Sequence, residues 1–260
     1  DVTYAPFGFQ RREKTIAEQL EEGMGYLRKR HRTSKFIAYF QSFTSTYGPM
    51  EKLLPKFQES LNHPDVVGFA LSTRPDCLDE KWVKALAEFK EKLVWIEIGL
   101  QSANNKTLER INRCHTREQF EEAIRLWKRH TDIPVCAHAV LGLPGETKED
   151  ILETARCFAS LPLDAIKIHN LHVVKGTPLA KDFQEGRYQP ISFEEYVDWT
   201  IAFLEETPPH FVIHRINAHA PRSLTLAPEW SVNKLGIFNA IEKEMERRNS
   251  WQGKTLTAPR

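Results

Sequence analysis

Two residues on one stretch of this 260-residue chain have the types that suit small-ligand chemistry, Gln101 and Arg113. A primary amide exchanges hydrogen bonds with hydroxyls, and a guanidinium fork matches a planar carboxylate. Together they suit a small ligand carrying both groups. The alternative is an ordinary strand followed by a surface helix. A second group is the turn Gly142-Leu143-Pro144-Gly145-Glu146, whose glycines let a ligand approach the backbone closely. It lacks the glycine pattern and lysine of a phosphate loop, and a plain connector is the alternative. Lys167 opens a third chemistry. A desolvated lysine inside a barrel strand becomes a Schiff-base nucleophile, as in a lyase; a structural lysine paired with Glu97 is the bland reading. The basic run Arg28-Lys29-Arg30-His31-Arg32 suits phosphates. It reads better as a solvated helix end whose cations complement the helix dipole.

The elements that must position these groups follow from periodicity. Trp95, Glu97, Gly99 and Gln101 alternate with Ile96, Ile98 and Leu100, which is strand alternation with Gln101 at the C-terminal mouth. A helix follows, capped by Asn104 or Asn105 and closed by Arg113. Upstream, a helix over 15–31 uses Ile16, Leu20 and Leu27 as apolar positions, against the weakening of Gly23 and Gly25. Phe36–Gln41 alternates so that Ile37, Tyr39 and Gln41 share one face. A helix over 51–62, a strand from Val66 carrying Ser72 and Arg74 at its mouth, and a helix over 79–92 complete the first half. Beyond Arg113 come a helix over 117–130, a strand over 133–141 with Cys136, His138 and Val140 on one face, and a helix capped by Thr147 with Asp150 reaching back. A strand over 165–171 places Lys167 and His169 together. Helices over 178–185 and 192–207, a strand over 211–215 and a helix over 232–248 end the chain. Strand and helix alternate every ~30–40 residues, the beat of β/α units on a parallel sheet. The first element is a helix, so one further strand is expected upstream.

Composition bounds the rest. The chain is 41% hydrophobic, enough for a sizeable core, and its 36 basic and 35 acidic residues leave a net charge of +1. No global field draws it to nucleic acid or membrane. It shows no membrane span and no signal-peptide pattern. Four cysteines without a CxxC pair point to reduced thiols and a cytoplasmic location.

The motifs IEIGLQS and LERINR, preceded by YFQSFTSTYG and STRPD and followed by VLGLPGET, together resemble the radical SAM superfamily. The nearest likeness is to a bacterial branch beside the elongator catalytic subunit and oxygen-independent coproporphyrinogen oxidase. The likeness extends through IKIHNLHVVKGTPLA and IHRINAHAPRSLTLAPEW, so it covers nearly the whole chain. It implies an α/β partial (β/α)6 TIM-like barrel over 1–215, a C-terminal extension capping the barrel over 216–260, S-adenosylmethionine (SAM), and a [4Fe-4S] cluster that cleaves SAM reductively to a 5′-deoxyadenosyl radical. By the resemblance, Gln101 contacts the ribose, Arg113 the methionine carboxylate, and Gly142, Leu143, Pro144, Gly145 and Glu146 pack the adenine. Gln41 and Thr44 stand where other branches bind the methionine amine. His138 replaces an aspartate and Ser72 a glutamate of the coproporphyrinogen branch, and Glu97 joins the cofactor set. His169, His172 and Lys175 are the expected substrate-side contacts.

The family's three cluster cysteines, on a loop ending just before a segment like Asp1-Val-Thr-Tyr4, are absent from this sequence, so its own residues supply no metal ligand. The reading is a radical SAM enzyme abstracting hydrogen from a substrate at the barrel mouth. Kinship points to tRNA, at the side chain of a wobble uridine, with a flavodoxin or ferredoxin as electron donor. A non-catalytic SAM- or RNA-binding module and a Schiff-base lyase are the competing readings.

Overall fold

The computed structural model describes residues 14–41, 44–218 and 220–257. The start of the chain, Ser42 and Phe43 in the motif after the first strand, and His219 in the tail lie outside the described residues. In chain order the first elements are α1 (Ile16–Arg30), β1 (Phe36–Phe40), α2 (Met50–Ser60), β2 (Val66–Thr73), α3 (Glu80–Ala87), β3 (Leu93–Gln101), α4 (Asn105–Arg110) and α5 (Arg117–His130). Then come β4 (Val135–Leu141), α6 (Lys148–Ala159), β5 (Ala165–Asn170), β6 (Val173–Val174), α7 (Pro178–Gln184) and α8 (Phe193–Glu205). β7 (Val212–Arg215), β8 (Thr225–Ala227), α9 (Lys234–Arg247) and α10 (Lys254–Thr257) follow. Six strands form one sheet in the order β1-β2-β3-β4-β5-β7, and the β1–β2, β2–β3, β4–β5 and β5–β7 ladders are parallel. Helical crossovers between neighbouring parallel strands make this an α/β fold.

The described residues fall into two compact units, one running to Gly99 with Glu122–Val135, the other comprising Leu100–Glu121 and the chain from Cys136. In the first unit the alternation of β1 is realised: Phe36 and Ala38 are buried while Ile37 and Tyr39 remain 40% and 37% exposed. The core beneath is aromatic. Phe57 stacks on Phe69 at 5.7 Å, and Phe40 and Phe89 meet them edge-on at 4.9 and 5.4 Å. Such pairs each add about 0.5–1.5 kcal/mol beyond their area burial. Phe89 also explains why α3 stops at Ala87 rather than running to 92. The Phe89 and Lys90 amides donate to Leu86 and Ala87, three residues back, tightening the turn that carries Phe89 to Phe69. α1 forms despite its glycines, because Thr15 and Glu18 make a reciprocal capping box. It buries Met24, however, and leaves Leu27 39% exposed, where the sequence pattern had Leu27 inward.

The second unit is built on Phe120, Phe158 and Phe203, all essentially inaccessible and spaced 5.7 and 6.1 Å apart in turn. α8 buries eight residues of one run, which is why its sequence is apolar nearly all round. The small antiparallel pair β6–β8 has no counterpart in the sequence reading. It packs Val173 and Ala227 with Ala180 and Tyr188 into a satellite core. No helix among the described residues is long and apolar enough to cross a membrane.

Candidate functional site

In the first unit, two of the expected site residues meet directly. Register sets Ser72 of β2 opposite Glu97 of β3, and the Ser72 hydroxyl donates to Glu97 Oε2 at 3.0 Å. Glu97 is fully buried, and its carboxylate also accepts from the Tyr39 hydroxyl and from Trp95 Nε1 at 2.7 Å. A buried carboxylate is tolerable only with donors around it, and here three side chains supply them. Tyr39 and Trp95 were not expected there. Their signal was present all the same, since each shares a strand face with an expected residue. Gln41 is exposed just past β1, and Thr44, half-buried, accepts from the Tyr47 amide through its carbonyl.

The basic run lies elsewhere. α1 leads into the N-terminal end of β1, so Arg28–Arg32 sit at the end of β1 opposite Gln41. Arg28 and Lys35 both engage Asp65, just before β2, at 2.5 and 3.7 Å.

The second unit gathers the remaining groups. Gln101, the last residue of β3, has φ +80°, a left-handed conformation that non-glycine residues adopt at a cost of about 1–3 kcal/mol. The chain then turns through fully buried Ser102 into α4, where Asn104 caps by accepting from the Lys106 amide. α4 ends at Arg110. Arg113 therefore does not close a helix but sits in the loop beyond, half-buried, between Asn112 (φ +52°) and Cys114 (φ +65°). Its Nε donates to His115 Nε2 at 3.1 Å.

The glycine turn is locked onto this segment. The Ser102 hydroxyl bonds the Glu146 carboxyl, Arg110 donates to the Pro144 carbonyl at 3.3 Å, and Asn104 donates to Asp150 at 2.8 Å. Gly142 (φ +89°) and Gly145 (φ +83°) need the conformation that glycine alone takes without strain, and a Cβ at Gly145 would lie 2.6 Å from Arg110 Nη1. From the other side, buried Tyr188 donates its hydroxyl to the Gly142 carbonyl at 2.8 Å. Asp150 accepts from the Thr147 amide at 2.8 Å, the expected back half of the capping box. Burial pushes the Glu146 carboxyl up to about 7, against the lowering pull of the Ser102 and Thr107 hydroxyls. Thus Glu146 anchors the turn inward, while Leu143 is buried and Gly145 is exposed.

On the neighbouring strands, β4 and β5 set His138 opposite Lys167 and Val140 opposite His169. The His138 and His169 rings lie 5.2 Å apart, tilted by 38°, and Lys167 is only 6% exposed. His172 is tied in through Asn170, whose Nδ2 donates to His172 Nε2 at 3.2 Å while its Oδ1 accepts from the Ala218 amide at 2.8 Å. Lys175 does not join this group in the described contacts. Its ammonium donates to the Ser223 carbonyl at 2.8 Å and its amide to Leu224, stitching the β6–β8 pair.

None of this supplies a cluster site. Among the described residues no three His, Cys, Asp or Glu side chains group as metal ligands. Cys77 is half-buried, Cys114 exposed, and Cys136 and Cys157 buried. Burial pushes the Cys157 thiol up to about 11 and raises that of Cys77. An iron–sulfur cluster needs several thiolates at one place, and these four cysteines do not come together, so they do not fit one.

Residues 4–158 match the model of the Radical SAM superfamily, and residues 163–247 that of the Radical SAM C-terminal domain. The chain is 40% identical over 244 residues to YtqA of Bacillus subtilis, covering 94% of this chain and 76% of that protein. It is 28% identical over 196 residues to a tRNA uridine(34) acetyltransferase of Methanocaldococcus jannaschii, covering 74% of this chain and 35% of the other. Among solved structures, the archaeal Elp3 of Methanocaldococcus infernus superposes with a TM-score of 0.76 at 21% identity, over 88% of this chain and 58% of that one. That likeness concerns the fold, the partial TIM-like α/β barrel expected from the sequence.

Proposed function

The chain belongs to the radical SAM superfamily, and on that premise we propose that it holds SAM at the C-terminal strand ends of its second unit, for hydrogen abstraction from a bound substrate. The observation that carries this reading is the packing of 101–113 against 142–146. The segments that carry the residues expected at the ribose, the carboxylate and the adenine are tied together by the Ser102–Glu146 and Arg110–Pro144 hydrogen bonds. The donor set suits the molecule. Arg113 offers a guanidinium for the carboxylate, Gln101 an amide for the ribose hydroxyls, and the turn a close-approach backbone for the base. The left-handed conformations at Gln101 and Cys114 support the same assignment, because such backbone persists only where its surroundings over-determine it and clusters at ligand sites.

In this superfamily a [4Fe-4S] cluster supplies the electron that cleaves SAM. The residues of this chain do not fit that cluster, so their part is to bind and orient SAM and to present a substrate to it. His138, His169 and His172, on or just beyond β4 and β5, are the substrate-facing groups we favour. A tRNA uridine as substrate draws support from the names of two relatives, both tRNA uridine(34) acetyltransferases. It draws none from the basic run, which lies at the opposite end of β1 from Gln41. A second reading is a SAM-binding module that does not cleave it.

Arg113→Ala tests the site. Loss of a charged hydrogen bond should weaken SAM binding by about 1.5–3 kcal/mol in equilibrium dialysis. Unchanged affinity would remove Arg113 and this site from the reading. Formation of 5′-deoxyadenosine from SAM by the reduced protein expressed from its whole gene separates the enzyme from the module.

A further inference from the structure

Arg113 is held by a residue to which neither the motif nor the sequence reading gives a role. His115 is 6% exposed, and its two ring nitrogens face partners of opposite kind. Nε2 lies 3.1 Å from Arg113 Nε, and Nδ1 lies 3.3 Å from the Thr116 carbonyl oxygen. A guanidinium N–H can only donate and a carbonyl oxygen can only accept, so both contacts require one tautomer. That tautomer is the neutral imidazole with its hydrogen on Nδ1 and its lone pair on Nε2. The backbone is shaped to allow it, since Asn112 (φ +52°) and Cys114 (φ +65°) bracket Arg113 in left-handed conformations.

We propose that His115 is a positioning residue for Arg113, setting the plane of its guanidinium for the SAM carboxylate. This rests on the SAM-site reading above. With Nε engaged by His115, the side-on approach that uses Nε is closed to the carboxylate. A guanidinium fixed before binding loses less side-chain freedom when the ligand arrives, so His115 contributes affinity without touching SAM.

The test is equilibrium dialysis of labelled SAM against the 260-residue chain, its R113A, H115A, H115Q and H115N variants, and the R113A/H115A double variant. Glutamine can place an amide oxygen where Nε2 stands, whereas asparagine reaches only to the Nδ1 position. Arg113→Ala should weaken binding about tenfold to a hundredfold, and His115→Ala about five- to tenfold, the scale of one hydrogen bond. H115Q should lie within about twofold of wild type, H115N should resemble H115A, and H115A should add nothing in the R113A background. Removing a buried ring can disturb the loop by itself, so the Gln and Asn pair decides. Equal loss in H115Q and H115N, equal recovery in both, or an additive loss in the double variant overturns the proposal while leaving the SAM site standing. Nitrogen-15 shifts of His115 give a second reading on the wild-type chain. A neutral ring protonated at Nδ1 is expected, and one protonated at Nε2 would overturn it. If R113A binds as wild type does, or wild type fails to bind, the SAM-site reading falls and this inference with it.

Discussion

The Glu146 carboxyl gives the second unit a pH dependence that can be worked out in sign and size. In the folded chain burial moves it from 4.5 up to about 7, and the nearby Asp150 charge pushes the same way, while the Ser102 and Thr107 hydroxyls oppose it. The native state therefore keeps a proton that the unfolded chain has already lost. Stability from this group is fully present below the unfolded value of 4.5 and is lost as the pH rises through about 7. The difference between those values corresponds to about 3 kcal/mol, an upper figure because the side chain keeps some contact with solvent. Glu146→Gln removes the titration but retains an amide that can bond both hydroxyls. Denaturant unfolding of wild type and variant, from about pH 4 to about pH 8, isolates the group as a difference curve. Wild type should lose up to about 3 kcal/mol relative to the variant across that window. Asp150 titrates on the other side. Its hydrogen bonds from Thr147 and Asn104 outweigh burial and hold it below its usual 3.8, so its contribution is lost only as the pH falls below the window. A flat difference curve would mean that the Glu146 carboxyl is ionised and solvated in the native state, and the inward anchoring of the turn would be wrong.

Tyr188→Phe should cost about 1–2 kcal/mol, because the Gly142 carbonyl loses a buried donor, and thermal unfolding reads it directly. Gly145→Ala meets both φ +83° and the Arg110 guanidinium. The side chain can swing away by giving up Pro144, so a loss of at least ~1 kcal/mol from the backbone alone is expected; an unchanged midpoint would argue against that turn geometry. The chain with its own four cysteines, reconstituted anaerobically with iron and sulfide, should develop no iron–sulfur charge-transfer absorbance, and a stoichiometric cluster would refute the reading of its thiols.

How far the sequence alone reaches is seen residue by residue. Period-two alternation placed Phe36 and Ala38 on the buried face of β1 and Tyr39 on the other, because successive strand side chains must point to opposite sides. The caps at Asn104 and Thr147 were legible for an equally local reason, since helix termini leave amides that only a few side chains can satisfy. Motif order grouped Gln101, Arg113 and the 142–146 turn as one expected set, and the segments that carry them do pack together.

What period and motif do not carry is the partner a side chain finds across the chain. The turn reads for its backbone alone; that the Glu146 carboxyl reaches Ser102, forty-four residues away in sequence, no local pattern announces. Lys175 read as a substrate contact, yet its ammonium is engaged by the Ser223 carbonyl, forty-eight residues on. Phe89 belonged to a continuing helix until the aromatic core around Phe69 drew it out. Even the neighbour pair Arg113 and His115 was not announced, because which polar atom a ring nitrogen meets depends on how the loop is folded. Alternation and capping are local, decided by backbone geometry over a few residues. Polar pairing and core closure are decided when distant segments are packed together, where each buried donor or acceptor must take the partner that packing leaves within reach.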